Sequence, residues 1–258
     1  VGSEMCIRDS FNAVASINEQ RISRQMSVNE MANVSTIGFK RSYEVATRAV
    51  QVDGAGLKTR FQPQSFSEDF ISLKSGPVIA TGNELDVAMS GATVLGVSAA
   101  DGTLAFTRRG DLRINAQGTL ENGQGHLVRS EGGGPLNLPP GLKIEIRSDG
   151  TVMGTDLAQV GVKIPVALGK LLLRDASTTP LLRREDGLFK NAAGDGQDIT
   201  PGPVAPGLTS GALEGSSVNA MNIMVKLIDQ SRAFEQQINM IKEAKTTDEA
   251  GASMLKAS

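Results

Sequence analysis

Met224-Val-Lys-Leu227-Ile-Asp-Gln-Ser231-Arg-Ala-Phe234-Glu-Gln-Gln-Ile238-Asn-Met-Ile241 is the stretch on which the reading of this chain turns. Met224, Ser231 and Ile238 recur every seven residues, and so do Leu227, Phe234 and Ile241. The two lines are the a and d positions of a heptad seam, the pattern of a helix that lies along another helix. The spacing predicts a helix of roughly 30 residues, ~45 Å long at 1.5 Å per residue. Ser216 or Ser217 is placed to cap its start, and Asp229 and Arg232, three apart, support it weakly. A small domain has no internal partner of that length.

The partner must come from the other end of the chain. Between Phe11 and Asn33, Ala15, Ile22, Met26 and Asn33 fall at spacings of seven, four and seven, a narrow helical seam. Gly38 is a left-handed stop beyond it, and Phe39 an anchor. Two thin seams at opposite ends predict an antiparallel, coiled-coil-like pair of terminal helices. Met221, Val225 and Ile228 are left over from the pair and point to neighbouring subunits.

In the middle the period changes from helical to alternating. Leu95, Val97 and Ala99 alternate up to Asp101-Gly102, and Leu104 and Phe106 resume beyond it. Leu112 and Ile114 do the same before Gln117-Gly118, with Leu120 after, and Ile144 and Ile146 before Asp149-Gly150, with Val152 after. Three hairpin units predict an antiparallel β-domain, with further strands in Lys163 to Leu173. The expected fold is therefore α+β: paired terminal helices with an inserted antiparallel β-rich domain. The expected division is a non-native leader at 1–10, a helical assembly domain from 11–45 and 211–258, an extended connector at 46–84 and the β-rich domain at 85–206. Pro201-Gly-Pro-Val-Ala-Pro-Gly207 reads as a stiff linker leading out of it.

Composition narrows the function. In 258 residues, 26 Lys+Arg oppose 28 Asp+Glu for a net charge of −2, and aromatics are 3% of the chain, so the basic field and stacking platforms of nucleic-acid binders are missing. One Cys and one His exclude disulfide frameworks and most transition-metal sites, and Cys6 falls in the leader. No stretch approaches the roughly 18 apolar residues of a membrane span. His126 lies in a Gly-rich loop without the flanking strand and helix of a phosphate site and reads as a surface or structural residue. Asp101 and Asp149 each precede Gly and are explained by turn chemistry. Arg108-Arg109 reads as a solvated or interfacial basic spot compensated by Asp111. Glu185, Asp186, Asp195 and Asp198 lack calcium-loop spacing. No cofactor or metal is expected, and no enzymatic activity.

Asn29-Glu-Met-Ala-Asn33, followed by Thr36, Gly38, Phe39 and Lys40, resembles the N-terminal signature of flagellar rod and hook proteins. The resemblance continues in order through Leu85-Asp-Val-Ala88, Asp101-Gly-Thr-Leu-Ala-Phe-Thr-Arg108, Asn115-Ala-Gln-Gly118 and Asp186-Gly-Leu-Phe189. Gly211-Ala-Leu-Glu-Gly-Ser-Ser-Val218-Asn219 and Ser231-Arg232-Ala-Phe234-Glu235 complete it. Glu30, where an Asn is usual, and Ile37, where Pro is common, depart from the pattern. The chain is identified as a member of the flagellar basal-body rod family and looks most like its proximal-rod members.

The resemblance implies a non-enzymatic subunit of the rod crossing the periplasm, passed through the flagellar export apparatus. Its partners would be other rod subunits and copies of itself, with neither nucleic acid nor membrane insertion. It also implies assembly residues at Ile22, Met26, Asn29, Asn33, Thr36, Gly38, Phe39, Val218, Asn219, Met224, Leu227, Arg232, Phe234, Glu235 and Ile238. A distal-rod or hook-type axial protein is the nearest alternative, and a secreted carboxylate-dependent hydrolase the different-class one.

Overall fold

The computed structural model describes residues 20–43, 48–50, 53–54, 57–58, 62–64, 70–156 and 163–256. The expected leader at 1–10 with Cys6, the helix start at 11–19 with Ala15, and parts of the expected connector lie outside the described residues. The chain forms two compact units. One takes in Val1–Ala32, Ala46–Phe66 and Asn219–Ser258, and the other Asn33–Val45 and Ser67–Val218.

The second unit is antiparallel β throughout, and each hairpin follows from its own turn. Leu104 pairs with Ser98 and Phe106 with Gly96 across the Asp101-Gly102 turn. There Gly102 takes φ +79° and the Asp101 carboxylate accepts hydrogen bonds from the Thr103 amide at 2.9 Å and hydroxyl at 2.6 Å. A side chain that closes its own turn in this way makes the loop a local property of the sequence. Leu112–Ile114 pairs with Leu120–Asn122, and Leu142–Ile146 with Thr151–Asp156. The strands expected within Lys163 to Leu173 are Val166–Lys170, which extends the last hairpin, and Leu173–Asp175.

A seven-stranded sheet organises the unit, in the order Ser42–Tyr43, Phe70–Ile71, Leu181–Arg183, Phe189–Asn191, Leu104–Thr107, Thr93–Ser98, Leu173–Asp175. Both of its faces are covered. Leu95, Val97, Ala105 and Leu173 enter one apolar cluster with Leu120, Ile146 and Val152, whereas Val94, Leu104, Phe106 and Leu172 enter a second with Leu181 and Phe189. Side chains alternate sides along a strand, so neighbours such as Val94 and Leu95 serve different cores.

The Pro201–Gly207 segment does not lead out of this unit. The Val204 amide donates to Asp175 at 3.2 Å, the Gly207 amide to the Thr93 hydroxyl at 3.2 Å, and the Ser90 amide to the Gly207 carbonyl at 2.9 Å. Proline stiffens the segment, and these bonds tie it down. The chain then adds two more strands, Leu208–Ser210 against Val87–Met89 and Ala212–Glu214 against Val78–Ala80.

In the first unit a helix covers residues 20–32 and a second spans Ala220–Lys256, 37 residues, ~55 Å at 1.5 Å per residue. Two short strand pairs, Arg48–Val50 with Gln62–Gln64 and Asp53–Gly54 with Leu57–Lys58, belong with them. The second helix is capped by Asn219, whose side-chain oxygen accepts from the Asn222 amide at 3.2 Å, and not by the serines. Ser216 instead accepts from the Val218 amide and Ser217 from the Arg41 amide. The first residue whose side chain faces the free amides is the one that caps.

Candidate assembly interface

Three residues from distant parts of the chain meet inside the β-rich unit. Lys40 and Arg108 are fully buried and Glu214 is 1% exposed. The Lys40 ammonium donates to Glu214 Oε1 at 2.6 Å, and Arg108 Nε and Nη2 reach Glu214 Oε2 at 2.8 and 2.7 Å. The Gly76 amide adds a bond to Oε1 at 2.9 Å. Donors left over are taken by backbone: Lys40 donates to the Lys74 carbonyl, and Arg108 to the carbonyls of Met89, Gly91 and Thr93. Charges removed from water persist when they are paired and hydrogen-bonded, and here Arg108 is held at Nε, Nη1 and Nη2 and the Lys40 ammonium by two acceptors.

Two cations share one anion. Burial pushes the Lys40 ammonium below its usual range, the Arg108 charge pushes the same way, and Glu214 opposes both. Burial likewise lowers Arg108, with Glu214 again the opposing influence.

The cluster sits where both ends of the chain leave the unit. The Gly38 amide donates to the Glu214 carbonyl at 2.7 Å, the Ser217 amide to the Phe39 carbonyl at 3.0 Å, and the Arg41 amide to Ser217 Oγ at 3.1 Å. Gly38 takes φ +69°, and a Cβ there would lie 2.4 Å from the Arg108 carbonyl oxygen. The expected left-handed stop is present, and close backbone approach requires glycine as well. Before it, the Thr36 hydroxyl bonds Asn33 Oδ1 at 3.1 Å and the Thr36 amide bonds the Asn33 carbonyl. After it, the Phe39 ring lies under the Arg183 guanidinium, 4.7 Å from the ring centre, and Arg183 also donates to the Lys40 carbonyl.

The reading of Arg108-Arg109 as one basic spot is thereby corrected. Just past the Leu104–Thr107 strand, Arg108 enters the buried cluster while Arg109 pairs with Asp111 at 2.7 Å near the surface. The exposed Asp101 carboxylate is held down to about 2, first by the hydrogen bonds from Thr103 and then by that from Arg184. Arg184 also pairs with Asp186 and Asp195, a surface network with no calcium-loop geometry. His126 is half-buried, its amide and carbonyl bonded to Asn122 in a turn. Among the described residues no group of His, Cys, Asp or Glu could hold a metal, and no helix is long and apolar enough to cross a membrane.

On the helices the proposed contacts are unevenly placed. Ile22 and Met26 are half-buried and Asn29 exposed on the first helix. Gln230 of the second helix donates to Ser23 Oγ at 3.0 Å and Ser27 Oγ at 3.3 Å. Leu227 and Ile238 are half-buried, Ile223 is buried, and Arg232 and Glu235 are exposed. Met224 is 47% exposed and Phe234 39%, while Met221, Val225 and Ile228 are all more than half exposed. Val218 is buried just before the Asn219 cap.

What sequence reasoning missed is the cluster itself. Lys40 and Glu214 are 174 positions apart, which no local periodicity reports. The available signal was a charged residue embedded in small and apolar ones three times over, in Ile-Gly-Phe-Lys40, Leu-Ala-Phe-Thr-Arg108 and Ala-Leu-Glu214-Gly.

A β-rich body with both chain ends pinned side by side, leading into a helix that leaves apolar side chains uncovered, defines an assembling structural subunit. Known proteins agree. Residues 209–254 match the family described as flagellar basal body rod FlgEFG protein C-terminal, and residues 88–154 the flagellar hook protein FlgE/F/G D1 domain. The flagellar basal-body rod protein FlgF of Escherichia coli is 32% identical over 246 residues, covering 93% of this chain and 94% of the relative. FlgF of Salmonella typhimurium is 32% identical over 90% of this chain and 91% of its own. FlgG of Buchnera aphidicola subsp. Schizaphis graminum is 30% identical over 85% of this chain and 88% of its own. The chain belongs to the flagellar basal-body rod protein family and is FlgF-like, a structural subunit of the rod in the flagellar basal body.

Proposed function

We propose that this chain is a non-enzymatic subunit of the proximal rod that polymerises through its terminal helices and transmits torque through static contacts. The assembly domain comprises residues 11–45 and 211–258, its two helices pairing as a coiled coil. Its neighbours are other rod subunits and copies of itself, and it reaches them through the flagellar export apparatus, in the periplasm. The observation that carries this reading is the uncovered apolar face of the second helix, where Met221, Val225 and Ile228 are 71, 58 and 53% exposed. Burying a side chain of this kind contributes about 1.5–3 kcal/mol, so a few per neighbour, repeated along a filament, make a contact that does not slip.

The contacts on the first helix are Ile22, Met26 and Asn29. Asn33, Thr36, Gly38 and Phe39 shape its exit, Val218 and Asn219 shape the entry to the second helix, and Met224, Leu227, Arg232, Phe234, Glu235 and Ile238 lie along it. Phe234→Asp tests the seam by placing a charge where a helix should dock. Rods should fail to assemble while the thermal transition of the β-rich unit stays where it was. Normal motility in that variant would refute the seam. Labelled antibody on purified basal bodies tests the proximal position, since label only at the distal rod would reassign the subunit.

A further inference from the structure

We propose that the Lys40, Arg108 and Glu214 cluster is a registry device, selecting one alignment of the two chain exits rather than supplying the stability of the β-rich unit. The exits need such a device. Residues 38–41 and 214–217 are joined by the three bonds to Gly38, Ser217 and Arg41 described above, and the register between them is not part of any strand ladder. Strand pairing fixes its own register where apolar and polar residues alternate over a buried face. Phe39-Lys40-Arg41 and Gly215-Ser216-Ser217 carry no such alternation.

The cluster supplies what the pattern lacks. A slip of one residue on the C-terminal side would put Leu213 or Gly215 where Glu214 stands, leaving Lys40 and Arg108 as two fully buried cations without their anion. A slip on the N-terminal side would bring Phe39 or Arg41 to the carboxylate. Either leaves uncompensated charge inside the unit, which is among the costliest errors a fold can make. Backbone geometry reinforces the choice, since a Cβ at Gly76 would lie 2.3 Å from the Gly215 carbonyl oxygen. The satisfied alignment itself is not expected to outcompete apolar packing, because buried ion triads roughly break even against well-packed hydrophobic replacements. The charges therefore act mainly against wrong alignments. Lys40, Arg108 and Glu214 are positioning residues in assembly, setting where the residues ahead of the second helix begin.

Three full-chain variants separate registry from stability, read by thermal midpoint and by amide exchange at Gly38 and Ser217 measured against the core amide of Leu120. Glu214→Gln should lower the midpoint by roughly 10 °C. The combined Lys40→Met, Arg108→Met and Glu214→Leu variant should recover the midpoint to that of the parent, yet lose protection at Gly38 and Ser217 by about tenfold relative to Leu120. Lys40→Met alone leaves a neutral Arg108 and Glu214 pair and should give the same selective loss with a midpoint within a few degrees of the parent. The proposal is overturned if both of these variants fall as far in midpoint as Glu214→Gln or fail to fold, since the cluster is then a stability element. It is equally overturned if either keeps parental protection at Gly38 and Ser217, since the alignment then does not depend on the charges.

Discussion

The two units invert the usual placement of side chains. The β-rich unit buries charge, with Lys40, Arg108 and Glu214 at 0–1% exposure, whereas the second helix exposes apolar groups, with Met221 at 71% and Met240 at 65%. In the first case the buried charges are paired and hydrogen-bonded within the unit. In the second, Met221, Val225 and Ile228 remain more than half exposed. A paired, buried charge cluster in one region and an exposed apolar face in the other suit the filament subunit proposed above.

Substitutions can break this contrast from either side. The largest effect is expected at Arg108, where replacement by Met removes three carbonyl contacts and the bonds to Glu214 while Lys40 stays buried. Chemical denaturation should show a loss of about 3–5 kcal/mol, because Lys40 still neutralises Glu214 but the Met89, Gly91 and Thr93 carbonyls lose the Arg108 donors, at about 1–3 kcal/mol for each one left unsatisfied. Gly38→Ala comes next. The left-handed backbone alone costs roughly 1–2 kcal/mol, and displacement of the Arg108 carbonyl adds to it. An unchanged denaturation midpoint would show that the exits are not held as tightly as the geometry implies.

A smaller effect is expected from acid at the Asp101 turn. Its folded carboxyl is held down to about 2, below the ordinary 3.8, by the hydrogen bonds from Thr103, so the unfolded chain takes up the proton first as pH falls. The contribution of this group is complete above pH 3.8 and is lost between 3.8 and about 2. Asp101→Asn should flatten the acid limb of the stability curve in that window, and an identical limb would remove the turn from the account. Least of all should the isolated chain respond to Val225→Ser, within about 0.5 kcal/mol because the site is exposed. Rod assembly should nonetheless suffer. Equal loss in both assays would mean that the helix face is covered within the subunit.

Legibility in the sequence followed the range of the interactions. The hairpins at Asp101-Gly102 and Asp149-Gly150 were readable because carboxylate, glycine and alternating flanks lie within a few residues of one another. The long C-terminal helix is readable from its heptads, but Ser216, Ser217 and Asn219 are all capping residue types and spacing alone does not choose among them. Phase on that helix was harder. Apolar residues occupy positions 221, 223, 224, 225, 227 and 228, so several overlapping stripes fit the pattern, and the polar bridge from Gln230 to Ser23 and Ser27 lies on a line the heptads did not single out.

By itself, then, the sequence determined the β-rich middle, the long helix, the stop at Gly38 and the family, since each is written in short-range spacing or in the order of motifs. Only the tertiary structure decided that Arg108 leaves its neighbour Arg109 to enter a buried cluster, that Pro201–Gly207 folds back along the unit, and that Lys40 and Glu214 meet. Those outcomes depend on which segments lie side by side after the chain has closed on itself. A charge in a linear sequence carries no mark of whether water or another charge will finally face it.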